Sequence, residues 1–137
     1  MADPRLSANW VGIGYEAVTI AHDDTIVYDA TKVGGAAQVG LAVTVESSGV
    51  ASLVGDGENV FGKLINVEND GFCVVQTGGF MTLPGGAGAT LTAGLKIVGD
   101  LGSGATEGYI QAVSTQHTVS RGMIIDSSTA TAVVVKL

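Results

Sequence analysis

The chain is poor in cysteine, in aromatic residues and in positive charge. Its one cysteine, Cys73, cannot form an internal disulfide, so the fold cannot depend on oxidation. Only 5% of the residues are aromatic, so branched aliphatic side chains must supply most of the core. We therefore expect a protein that folds in a reducing compartment around Val, Ile and Leu.

The shortage of positive charge excludes two classes of partner. Six basic residues stand against 13 acidic ones, which gives a formal net charge of −7. Nucleic acids and anionic membranes both bind through clusters of Lys and Arg that replace counterions. The sequence thus predicts no nucleic-acid partner and no membrane partner, and its charge favours solubility and attraction to a basic protein surface.

Long apolar runs are also missing. No segment approaches the roughly 20 apolar residues of a membrane-spanning helix. The first six residues, MADPRL, lack the basic and apolar regions of a secretory signal. We expect a soluble protein made in the cytoplasm.

What the chain does contain is Val, Ile, Thr, Ala and 21 glycines, a composition typical of short strands joined by tight turns. Asp70-Gly71 between two β-branched runs indicates a hairpin. About ten strands at spacings near 8–12 residues predict an all-β fold, a small single-domain barrel or sandwich. The runs are 17–20, 25–28, 41–46, 50–54, 60–68, 72–77, 80–83, 95–98, 109–113, 122–126 and 132–137.

The first 15 residues differ from the rest and predict an extended N-terminal arm ahead of a β domain at 16–137. They carry the only tryptophan, Trp10, and they lack sustained alternation. Trp10 could anchor the arm on another protein or pack on its own domain, and the sequence leaves both possibilities open.

Two glycine motifs come close to nucleotide-binding signatures. Gly57 to Lys63 matches G-x4-G-K, but Leu64 replaces the Ser or Thr that would hold Mg²⁺, and the next residues favour a strand. Gly12 to Ala17 matches G-x-G-x-x-A without a strand before it or a helix after it. Neither motif predicts a cofactor site.

Metal binding also lacks a full motif. Asp56 could open a calcium loop, but Phe61 lies where glycine is needed and Val67 where glutamate is needed. A looser cation site remains open, although solvated turn acids are the more frequent role for such residues. Its candidate ligands are Asp23, Asp24, Asp56 and Glu58. We predict no metal.

Catalysis by a nucleophile would need Cys73 or a serine beside His22 or His117. Cys73 alternates with apolar residues as a small buried side chain would, and His117 falls in a polar stretch, STQHT. The sequence predicts no catalytic residues and no enzyme.

A more specific pattern emerges from the order of the strands. It consists of 39–43 (VGLAV), 78–83 (GGFMTL), 88–100 (GATLTAGLKIVGD), 108–110 (GYI), 121–126 (RGMIID) and 133–137 (VVVKL). Over residues 17–137 this order resembles tailed-phage capsid decoration proteins, also called head cement proteins. The chain departs from them at 95–97, where the family tends to carry an acid, and in an added loop at 101–106.

The resemblance implies a structural virion protein without a cofactor. Such proteins form homotrimers on the outer capsid surface, bind the major capsid protein and stabilise the shell. By the same resemblance the arm contacts the shell, with Arg5, Leu6 and Trp10 as the expected contact residues.

Two other functions compete with this one. The first is a small β-rich ligand- or carbohydrate-binding module, although no aromatic platform is visible among seven scattered aromatic residues. A lipoyl-type module would need a lysine at a hairpin tip, and the 69–71 tip, NDG, has none. The second is a small hydrolase on a β scaffold, which would need convergent polar groups in a cleft.

Overall fold

The computed structural model describes residues 15–113 and 120–137 and confirms the all-β prediction. Ten strands form in this part of the chain, with two three-residue 3-10 turns at Val33–Gly35 and Ser103–Ala105. None of its helical segments has the length and apolarity to cross a bilayer. The strands are β1 Glu16–Ala21, β2 Ala42–Val45, β3 Ala51–Leu53, β4 Gly62–Val67, β5 Phe72–Gly78, β6 Phe80–Leu83, β7 Lys96–Asp100, β8 Tyr109–Val113, β9 Met123–Asp126 and β10 Val133–Lys136.

The strands make three antiparallel sheets, and these sheets do not close into a barrel. The largest has the order β1-β5-β4-β2-β3, the second β6-β10-β9, and the third pairs β7 with β8. The first sheet continues into the second through Gly79, which has φ +89° and separates β5 from β6. Glycine adopts a positive φ of this kind without the strain that a Cβ would cause.

The predicted hairpin between β4 and β5 is confirmed. Gly71 adopts φ +86°, and the Phe72 amide donates to Oδ1 of Asp70 at 3.1 Å. The strands then pair from Val67 opposite Cys73 to Lys63 opposite Gln76, with one irregularity in register between Leu64 and Asn66.

Two groups of buried aliphatic side chains form the core. One joins the second and third sheets, with Leu83, Ile97, Ile110, Ile124 and Val135 at most 1% exposed. The other lies under the five-stranded sheet and includes Leu64, Val67, Cys73 and Val75. The segment 22–41 closes this second group because its Ile26, Ala36 and Val39 pack there.

One predicted strand, 25–28, is wrong. The hydroxyl and amide of Thr25 both donate to Oδ1 of Asp23, at 2.6 and 3.0 Å, and this local turn replaces strand pairing. Ile26 is still buried, while Val27 is 56% exposed. Only Ile26 of this run therefore packs in the core, and the hydrogen bonds between Thr25 and Asp23 fix the backbone conformation of the run.

Candidate interaction surface

The predicted contact residues Arg5, Leu6 and Trp10 lie outside the residues that the structure describes. The described chain begins at Tyr15, whose side chain is 50% exposed, directly before β1. Along the chain, β1 is thus the first described strand after the predicted arm.

The two edges of the five-stranded sheet differ. At the β3 edge, the Asp23 amide donates to the Ala51 carbonyl at 3.0 Å, and the Leu53 amide donates to Oγ1 of Thr25 at 3.0 Å. At the other edge, β1 pairs with β5 alone within the described part of the chain. An edge strand with unpaired N–H and C=O groups can accept another strand, so β1 is open to pairing.

One face of this sheet is exposed beside the β1 edge. Residues directly opposite each other in a ladder share a face. Thr19 pairs with Val74 and Ala21 with Phe72. On the other side, Ile20 and Val18 pair with the buried Cys73 and Val75, although Val18 itself is 40% exposed. We call the exposed side the open face and define it by six residues: Ala17, Thr19, Ala21, Asn66, Phe72 and Val74.

The open face carries no charge. Its largest side chain, Phe72, is 43% exposed. Charged groups lie at its two ends, where Asn66 Nδ2 donates to Glu68 at 2.7 Å and Lys63 Nζ donates to Oγ1 of Thr82 at 3.0 Å. An uncharged centre with charged groups at its rim is typical of protein–protein interfaces, whose centres are depleted of charge.

Four of the acidic residues stabilise turns. Four aspartates accept the amide of the residue two positions on, as an Asx turn requires. These pairs are Asp23–Thr25 at 3.0 Å, Asp29–Thr31 at 2.9 Å, Asp70–Phe72 at 3.1 Å and Asp126–Ser128 at 2.8 Å. Hydrogen bonds from the Thr31 side chain and backbone lower the pKa of Asp29, and bonds from the Ser128 backbone and side chain lower the pKa of Asp126.

The four candidate cation ligands do not come together. Glu58 accepts the Gly55 amide at 2.7 Å, and Asp56 accepts Nε2 of Gln111 at 2.9 Å. Across 15–113 and 120–137, no three His, Cys, Asp or Glu side chains are grouped closely enough to hold a metal ion.

The G-x4-G-K segment folds as the sequence predicts. The residues after Gly62 form β4, where a phosphate loop would need the N-terminus of a helix. Burial lowers the pKa of Lys63. The G-x-G-x-x-A match has its glycines outside the described residues and ends within β1.

Among the residues that the structure describes, no hydrogen bond joins His22 to Cys73. Nδ1 of His22 lies 2.8 Å from the Asp23 carbonyl, and its buried Nε2 has no hydrogen-bond partner among the residues described. His117 lies outside those residues. Cys73 is fully buried, and burial raises the pKa of its thiol to about 11.

Cys73 is therefore expected to resist alkylation in the folded protein. The thiolate is the nucleophile, and a rise in pKa from 9.0 to about 11 lowers its population near pH 8 about a hundredfold. Iodoacetamide labelling followed by mass spectrometry should be at least about a hundredfold slower in buffer than in concentrated urea. Equal rates in the two solutions would contradict the buried position.

The same pKa gives a dependence of stability on pH. The folded state keeps the thiol proton above the pH at which the unfolded state loses it. Between about pH 9 and about pH 11 the contribution of Cys73 to the free energy of unfolding therefore falls as pH rises.

Two open cavities lie elsewhere on the surface. One, of about 430 Å³, lies between the segment 37–41 and the loop 105–109. The other, of about 410 Å³, is lined by Asp100, Gln111, Thr90 and small residues of 87–89. Each lining includes a single carboxylate, Glu107 in the first and Asp100 in the second, so neither offers the paired acids of a glycosidase.

Sequence reasoning missed both the open face and the first cavity. Strand alternation shows which residues share a face but does not reveal which face a sheet leaves uncovered. The cavity joins residues some 70 positions apart, from Ala37 to Tyr109, and no local motif marks it. No protein-family model, no curated protein and no solved structure matches this chain.

Proposed function

We propose that this chain is a capsid decoration protein that self-associates as a trimer, binds the major capsid protein on the outer shell and stabilises it. The observation that carries the proposal is the uncharged open face beside the edge of β1 that has no partner strand among the described residues. The resemblance of residues 17–137 to head cement proteins supports the choice of a viral shell as the partner.

The charge distribution supports association through the open face. Copies that each carry a formal charge of −7 repel one another, so close contact is least costly where no acid is buried. The open face also exposes Phe72, and aromatic residues are enriched at the centres of protein interfaces.

Several weak contacts per trimer are sufficient for this role. A trimer that touches several shell subunits binds with a high effective concentration after its first contact. Residues on paired strands such as β1 and β5 are already ordered, which limits the conformational entropy lost on binding. In this proposal residues 1–15 contact the shell as well, with Arg5, Leu6 and Trp10 as contact residues.

Thr19→Lys tests the open face. The substitution places a charge at the centre of the interface, where an unpaired and desolvated ammonium is costly. Light scattering should show a trimer for the unsubstituted protein and dissociation of the variant at the same concentration. Co-sedimentation with assembled shells of the major capsid protein from the same genome should fall in parallel.

Thr131→Lys is the matched control, since Thr131 is exposed in the turn between β9 and β10. Circular dichroism should show both variants folded, because both positions are exposed to solvent. A monomeric unsubstituted protein, or equal assembly of the two variants, would overturn the role of the open face. A trimer that fails to bind the shells would overturn the capsid assignment.

A further inference from the structure

The cavity of about 430 Å³ is widely open to solvent, and its volume falls within the range of small-molecule sites. Binding sites for small molecules typically measure roughly 300–1,000 Å³ and combine apolar walls with a few polar groups. Its lining includes the aliphatic side chains of Leu41 and Leu53 and the polar side chains of Gln38, Thr106 and Glu107. Tyr109 contributes an aromatic ring.

The loop that forms one side of this cavity is held in place by its own hydrogen bonds. The Gly102 amide donates to the Thr106 carbonyl at 2.7 Å, and Oγ1 of Thr106 donates to the Ser103 carbonyl at 3.1 Å. Ala105, which lines the cavity, has φ +59°, the left-handed conformation that side chains rarely adopt. Such strained positions concentrate at binding sites, where the surrounding structure enforces them.

Tyr109 is held at the same place. A Cβ on Gly102 would lie 2.5 Å from Cε2 of Tyr109, so the ring packs directly against the glycine backbone. The other end of the loop is fixed because the Gly108 amide donates to the Val54 carbonyl at 2.8 Å and the Ala42 amide donates to the Gly108 carbonyl at 2.8 Å. A ring that is already ordered in this way would lose little side-chain entropy on binding a ligand.

The lining selects the chemistry of the ligand. Glu107 is the one charged group in the lining, so an anionic ligand would be repelled. Organic cations are usually held by a cage of several aromatic rings, and the lining has one. An amide, a hydroxyl and a carboxylate can together donate to and accept from several neutral hydroxyl groups.

We propose that this cavity binds a neutral saccharide of one or two rings. The apolar C–H face of a sugar would lie on Tyr109, and its hydroxyl groups would donate to Glu107. Nε2 of Gln38 would donate to the sugar, while Oε1 of Gln38 accepts the Val27 amide at 3.4 Å. The site belongs to a single chain, so it does not depend on trimer formation or on a shell. A decoration protein with this site would also attach its particle to surfaces that carry such sugars.

Ligand-observed NMR with glucose, galactose, mannose and N-acetylglucosamine tests the site. At least one sugar should bind with a Kd on the order of 1 mM. Glu107→Gln should weaken binding about tenfold, because it removes a charge-assisted acceptor. Tyr109→Leu should weaken binding to a similar extent, and Tyr109→Phe, which keeps the ring, should restore most of it.

Glu68→Gln is the matched control for the carboxylate, since Glu68 is exposed and far along the chain from the lining. Binding by this variant should equal that of the unsubstituted protein, and Thr19→Lys should also bind sugar normally even where it fails to assemble. Failure of all four sugars to bind the unsubstituted protein would overturn the proposal. Equal binding by Glu107→Gln and Glu68→Gln would do the same.

Discussion

Gly99→Ala is expected to lower the free energy of unfolding by about 3 kcal/mol, the upper part of the range for overpacked cores. Gly99 lies in β7 opposite Ile110. A Cβ at this position would lie 2.2 Å from the Gly55 carbonyl oxygen and 2.5 Å from Cγ2 of Val54. Both distances are far below van der Waals contact, so the backbone would have to move.

The hydrogen bonds around Gly99 oppose that movement. Its amide donates to the Glu58 carbonyl at 2.8 Å, and its carbonyl accepts from the Gly57 amide at 2.9 Å. Nε2 of Gln111 donates to the same carbonyl at 3.2 Å. Shifting β7 away from Gly55 would therefore stretch bonds that join the third sheet to the segment 55–58.

Gly49→Ala serves as the comparison because nothing lies within 4 Å of its Cβ position, although its φ is +83°. Backbone strain alone should cost about 1 to 2 kcal/mol there. Urea unfolding at constant m-value measures both changes. A smaller loss for Gly99→Ala than for Gly49→Ala would mean that the close approach to Gly55 is not rigid.

Arg121→Met is expected to cost about 3 kcal/mol, because it leaves several carbonyl groups without a charged donor. Nη1 of Arg121 donates to the carbonyls of Phe61 at 3.0 Å and Val60 at 3.3 Å, and Nη2 donates to that of Thr77 at 3.0 Å. Its backbone pairs with Ile97 of β7. The side chain of Arg121 thereby links the segment before β4 to the end of β5, and its backbone joins both to the third sheet.

Arg121→Lys should recover little of this stability, since a single ammonium cannot reproduce the planar fork of a guanidinium. Lys136→Met is the control on an exposed cation and should change stability by less than about 0.5 kcal/mol. High salt should leave the contribution of Arg121 nearly unchanged, because these acceptors are carbonyl oxygens and not carboxylates. Equal urea midpoints for Arg121→Met and Lys136→Met would show that the three bonds add nothing.

Local patterns correctly predicted the strands whose residue types favour a strand and whose residues also pair and are buried as strand residues. The run 80–83 is β6 and 109–113 is β8 without any shift of boundary. The Asp70-Gly71 turn forms as expected because its geometry depends on neighbouring residues alone. The prediction at 25–28 fails because Thr25 is used elsewhere: it donates to Asp23 in a local turn, and its Oγ1 accepts the amide of Leu53, 28 positions away.

The role of Gly99 in β7 is the feature that local sequence patterns predict least well. Gly99 and Asp100 look like strand breakers in the sequence, but they complete β7. Gly99 is needed there because the Gly55 backbone passes too close for any side chain. The sequence offers no sign of that contact, which lies 44 positions away along the chain.

Composition and strand order by themselves determined the fold class, the main hairpin and the absence of an internal disulfide. Each of these depends on local propensity or on residue counts. The tertiary structure decided which face of the five-stranded sheet stays exposed. It also decided which carbonyl groups accept hydrogen bonds from Arg121, which amide the Asp56 carboxylate accepts, and that Tyr109, Glu107 and Gln38 line one cavity. Those outcomes depend on contacts between residues far apart in the chain, and a pattern with a period of two residues carries no information about them.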